Sequence, residues 1–198
     1  MKNTCAHIFA LLCALLILPG CTKAPILIET TPNKKIETWF LEQNTGYNIV
    51  EIIAIADGSY ALLATFTPPG VESGYTMIRS YIIKWHENKY ELETAKDAYA
   101  AGGAGFSVEL LNTEDAKILF GDIGSAVYDF GMDGLKDVVF TELIVSSGNQ
   151  DICVPIKNHT PYLCVLDSSV EISELTFKTE IEDVHYSDYY ENFPWDNN

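Results

Sequence analysis

Carboxylates dominate the side chains able to do chemistry, with 28 Asp and Glu against 12 Lys and Arg and 4 His. Paired carboxylates can act as acid and base in glycoside hydrolysis, or wrap a hard cation. One stretch spaces them recognisably: Asp129, Asp133 and Asp137 follow D-x-x-x-D-G-x-x-D, with Gly134 at the turn and an apolar strand pattern behind it. Carboxylates at that spacing suit calcium, with Leu135 offering its carbonyl. Nucleophilic chemistry is thinly supplied. No G-x-S-x-G elbow surrounds Ser107, Ser125 or Ser147. His86-Glu87 lacks a second His four residues on, and Gly102-Gly103-Ala104-Gly105 lacks the Lys-Ser/Thr of a phosphate loop. Beyond residue 20 only His86, His159 and His185 occur.

The Asp129–Phe140 stretch resembles the calcium loop of FG-GAP/VCBS-type β repeats and, more loosely, of an EF-hand. The resemblance implies calcium held by Asp129, Asp133 and Asp137. It covers about twelve residues and occurs once. Gly131 stands where Asp or Asn is expected, and Phe140 where the EF-hand has its bidentate Glu. The alternative is an acidic, Gly-containing loop between strands. No other cofactor is expected.

The N-terminal segment carries an address. Lys2 and the amino terminus precede the apolar run Ile8–Leu18. That run is too short for a hydrocarbon core, which needs about 20 helical residues, and suits the apolar region of an export signal. Leu18-Pro19-Gly20-Cys21 follows. This pattern resembles a bacterial lipobox, with an aliphatic residue at −3, a small residue at −1 and the cysteine to be lipidated. The resemblance implies diacylglyceryl transfer to Cys21, cleavage before it and acylation of the new amino group. Residues 1–20 are then a cleaved signal peptide. Two or three acyl chains, at about 0.8 kcal/mol per buried CH₂, anchor a protein stably where one does not. The expected location is a cell membrane, inner or outer, with the protein facing away from the cytoplasm.

Of five cysteines, Cys5 and Cys13 leave with such a signal. Cys153 and Cys164 form an even pair outside the cytoplasm and are expected to make a disulfide. Pro155 and Pro161 flank Lys157–Thr160 between them, which reads as a loop joining two strands. The alternative is two buried thiols in neighbouring strands.

A net charge of −16 argues against nucleic acid as a partner, since binding a polyphosphate needs a basic face. Charge is unevenly placed. Cys21–Lys35 holds Lys23, Lys34 and Lys35 against Glu29, while the rest of the mature chain has 8 basic and 27 acidic residues. A basic tether beside lipid heads and an acidic body facing outward fit an anchored domain. Extended, the tether spans at most about 45 Å.

The elements to position these residues are mostly strands. Ile36, Trp39 and Phe40 fall at i, i+3, i+4 and predict one short helix, about Lys35–Gln43. From Tyr47 the period becomes two. Tyr47–Ala56 and Ser59–Thr67 flank Asp57-Gly58, a two-residue hairpin signal. Further strands are expected over 75–85, 89–94, 106–111, 116–121, 137–147, 150–154, 162–166 and 170–178, with 95–105 as a Gly-rich loop. About ten short strands with turn chemistry between them predict an all-β fold, an antiparallel β-sandwich, with an open barrel or two packed meanders as alternatives. The expected organisation is a signal over 1–20, a lipidated tether over 21–35, one β-rich domain over 36–179 and an acidic aromatic tail over 180–198. The tail is read as disordered, as packed over an open sheet edge, or as a docking segment.

Two functions fit. One is a membrane-tethered, non-catalytic binding or interaction module with a protein or polymer partner in the envelope. The other is an enzyme acting on envelope or extracellular polymers through acidic residues. An acid-lined cleft beside exposed Trp and Tyr favours the second; a flat face favours the first.

Overall fold

A computed structural model describes residues 34–56, 58–70, 76–129, 133–148 and 150–195. The described residues are almost entirely β, as the alternation predicts. One helix, α1 (Lys34–Gln43), opens them. Its Ile36 and Phe40 are buried, one turn apart on one face.

Strands β1 (Tyr47–Ala56), β2 (Ser59–Phe66), β3 (Met77–His86) and β4 (Lys89–Tyr99) form an antiparallel meander. β5 (Phe106–Asn112), β6 (Ala116–Ile123) and β11 (Tyr162–Asp167) form a second sheet in the order β11-β6-β5. β9 (Phe140–Ser147), β10 (Gln150–Pro155), β12 (Glu174–Thr179) and β13 (Asp183–His185) form a third, ordered β10-β9-β12-β13. A short hairpin, β7 (Ala126–Asp129) with β8 (Gly134–Asp137), stands apart.

The sandwich has three β layers, because the β5-β6-β11 sheet is buried on both faces. Alternation assigns the faces. On β6, Ile118 and Phe120 join Leu63, Ile78 and Ile82 of the first sheet. Leu119 and Ile123 join Leu143, Val145, Leu175 and Phe177 of the third. A strand covered on both sides loses its polar face, so its sequence is a near-continuous apolar run. The meander is also covered twice, with α1 packing Ile36 and Phe40 on Leu62, Tyr81 and Ile83.

Gly121 marks a close approach within the central sheet. A Cβ there would lie 1.8 Å from the Ser107 carbonyl oxygen and 2.9 Å from the Tyr162 hydroxyl. With no side chain in the way, the buried Tyr162 hydroxyl donates to that carbonyl at 3.0 Å.

One expectation changes, and one of the three readings of the tail is selected. Residues 95–99 continue β4 rather than opening a loop, because Arg79 on β3 pairs with Asp97 across the sheet and Lys96 meets Glu109 at 2.9 Å. The tail packs back. β13 covers the open edge of β12, Val184 and Tyr186 are buried, and Tyr189, Phe193 and Trp195 pack on the core between the second and third sheets. Tyr186 stacks on Tyr190 and Phe193, and Phe193 on Trp195, with ring centroids 4.7, 5.1 and 4.7 Å apart.

Candidate functional site

The residues singled out in the sequence disperse. Cys21 and its lipobox lie outside the described residues. Cys153 and Cys164 do not pair, which corrects the expected disulfide. Cys164 is a free, buried thiol and so is not bonded to Cys153. The cause is topological. Their strands are not a hairpin: Cys153 sits opposite Ile144 on β9 in the third sheet, and Cys164 opposite Leu119 on β6 in the second. The intervening loop crosses between layers, pinned where Asn158 accepts from the Phe140 amide at 2.8 Å and donates to the Val138 carbonyl at 2.7 Å. Burial pushes the Cys164 thiol up to about 12, which makes it a packing residue rather than a nucleophile.

The calcium-like stretch forms the β7–β8 hairpin. Asp129 pairs in register with Gly134, and Asp137 with Ala126 at the far end. Asp133 sits at the turn with φ 52° and accepts a hydrogen bond from the Tyr128 hydroxyl. Lys136 ties the hairpin to Glu182 at 2.7 Å, with Asp129 adding to the charge that holds its ammonium protonated. Among the described residues, no three His, Cys, Asp or Glu side chains are grouped to hold a metal ion. Asp129 and Asp133 thus lie at the turn end of the hairpin and Asp137 at its far end.

The structure brings a different set together at one end of the first sheet. The β3–β4 hairpin, the turn before β2 and the β5–β6 turn enclose two adjoining shallow grooves of about 450 and 550 Å³. Both are lined by Ser59, Lys84, Glu93 and Asp115; one adds Trp85, His86, Glu91 and Leu92, the other Thr113 and Glu114. Two of the acids are paired with lysines. Lys84 meets Glu93 at 2.7 Å, and Lys89 meets Glu91 at 2.5 Å. The Glu93 hydrogen bond raises the Lys84 pKa, with smaller help from Asp115 and Glu114, and the Lys89 bond lowers that of Glu91. A general acid working at neutral pH needs its pKa raised. Among the described residues, the carboxylates raised by desolvation are Glu51 and Asp122, and neither lines these grooves.

Beside the grooves runs an aromatic row that the sequence did not reveal. Trp85 and Tyr90 are cross-strand partners 4.6 Å apart, and Trp39 of α1 lies 5.7 Å beyond Tyr90. The rings tilt by 59° and 50°, so they share no plane. Trp85 is 46% exposed and Leu92 beside it 53%. The clue in the sequence was the odd-numbered series ending at Trp85, followed by a tight turn to Tyr90. Placing Trp39 beside them required α1 to be docked.

Farther down the same face is the chain's single arginine. Arg79 pairs with Asp97, stacks over Phe66 at 4.9 Å and donates to the Tyr47 hydroxyl at 3.3 Å. The Asp97 hydrogen bond, ahead of the other causes, raises its pKa, so it stays a fixed cation bracing β3 and β4.

No protein-family model matches the chain, and neither does any curated protein or solved structure compared with it.

Proposed function

We propose that the chain is a lipid-anchored, outward-facing binding module of the cell envelope. The observation that carries this reading is Leu18-Pro19-Gly20-Cys21 behind an eleven-residue apolar run. Non-catalytic binding is supported by the grooves beside Trp85, two of whose acids, Glu91 and Glu93, are each engaged by a lysine. Open grooves suit recognition of a surface or polymer.

Fractionation of cells expressing wild-type and Cys21→Ala proteins tests the anchor. Wild type should partition with membranes and incorporate labelled palmitate; Cys21→Ala should be released and unlabelled. Lipidation consumes the Cys21 thiol, so a non-reduced digest that links Cys21 to Cys153 overturns it. Release of soluble fragments from host envelope by the wild type, abolished in Glu93→Gln, would move the reading to an enzyme.

A further inference from the structure

We propose that the Trp39–Tyr90–Trp85 row is a membrane seat, a face that rests in the headgroup layer and fixes how the domain stands on the bilayer. The inference rests on lipidation of Cys21. Twelve residues separate Cys21 from Lys34, where α1 begins. Even fully extended they hold α1 within about 45 Å of the acyl chains. The chain therefore enters the domain through the element that carries Trp39.

That entry point has interfacial chemistry. Lys34, Lys35 and Trp39 line one surface depression at the start of α1. Tyr90, Trp85 and Leu92 continue the apolar strip along the β3–β4 hairpin, on the face α1 covers. Trp and Tyr concentrate at membrane–water interfaces because they join an apolar ring to a polar tip, and lysines there reach lipid phosphates. The body of the domain, with its large excess of acid, is repelled by anionic headgroups and so turns away. A lipid surface also explains the tilt between rings. A sugar polymer stacks best on rings presenting a common plane, whereas a headgroup layer accommodates rings at any tilt.

The chain contains its own reference probe. Of its three tryptophans, Trp195 packs on the core between the second and third sheets, away from α1. The lipidated full-length protein would be reconstituted into vesicles of phosphatidylethanolamine with a minority of phosphatidylglycerol, with or without brominated acyl chains. In wild type, brominated lipid should remove most Trp39 and Trp85 emission. In the Trp39→Phe/Trp85→Phe double variant, which keeps only Trp195, emission should be the same in both vesicles. Flotation of the same samples separates the two proposals. Protein that floats with the vesicles but shows no quenching, or equal quenching of Trp195, overturns the seat and leaves the anchor standing. Protein that does not float overturns the anchor, and the seat with it. Shielding of Trp85 from iodide by soluble peptidoglycan fragments, without quenching by lipid, overturns the seat in favour of a polymer site.

Discussion

Alternate residues of the same three strands build the two faces of the central sheet, and the faces differ in kind. Toward the third sheet, Phe106, Leu119, Ile123 and Tyr162 meet Phe140, Leu143, Leu175 and Phe177. Phe106 stacks on Phe177 at 4.0 Å, and the one hydroxyl among these residues, that of Tyr162, has its acceptor. Toward the first sheet the apolar layer of Leu63, Ile78, Ile82, Ile118 and Phe120 is interrupted. Ser80 Oγ and Asp122 Oδ1 are buried there without hydrogen-bond partners. Lys96 and Glu109 form an ion pair at that layer's edge. The difference comes from what covers each face. The aromatic tail extends the first layer and excludes water, while the Gly-rich loop after β4 closes the second, with the Ala101 amide reaching Asp122 Oδ2 at 3.1 Å. Close packing on one side and buried polar atoms on the other should give opposite responses to mutation.

The largest effect is expected on the aromatic side. Phe177→Ala removes a fully buried ring and should cost about 3–5 kcal/mol in urea unfolding, whereas Ile82→Val on the other face should cost about 0.5–1.5 kcal/mol. Equal costs would break the contrast.

The next tests the polar side. Desolvation raises the Asp122 pKa, against smaller opposition from the Ile123 and Ala101 amides and from His159. A carboxyl raised in the folded state binds its proton more tightly there than in the unfolded chain. Its contribution is fully present below the unfolded carboxylate pKa of about 3.9, and is lost as pH rises through the higher folded value. Asp122→Asn cannot ionise, so the stability of wild type relative to the variant should decline across that window. Parallel profiles in denaturant titrations at stepped pH would show that Asp122 is not desolvated.

The smallest effect concerns calcium. A bound ion would raise the melting temperature by mass action. Because the β7–β8 hairpin puts Asp137 at the opposite end from Asp129 and Asp133, millimolar calcium should move the midpoint no more than equal magnesium. A rise specific to calcium and lost in Asp133→Ala would restore the cation loop.

Much of the fold was legible in local pattern. The strand expected over 75–85 is β3 (Met77–His86), and Asp57-Gly58 joins the two strands expected to flank it. β6 was harder, because Ala116–Ile123 is apolar at nearly every position and such a run does not say which layers lie on either side. Residues 95–99 looked like a loop for want of large apolar groups. As the outer strand of its sheet, β4 needs only one buried flank and is held by Arg79–Asp97. The cysteine pairing failed because an even pair of cysteines either side of a Pro-flanked loop carries no information about a crossover between sheets. The aromatic row was illegible because Trp39 and Trp85 are 46 positions apart.

The sequence by itself determined the β class and the helix α1, since these depend on periodicity and composition within a short window. Only the tertiary structure decided the third layer, the separation of Cys153 from Cys164, the docking of the acidic tail and the meeting of Trp39 with Trp85. Each depends on which distant strands become neighbours. That is settled by burying apolar faces jointly, and no single segment encodes it.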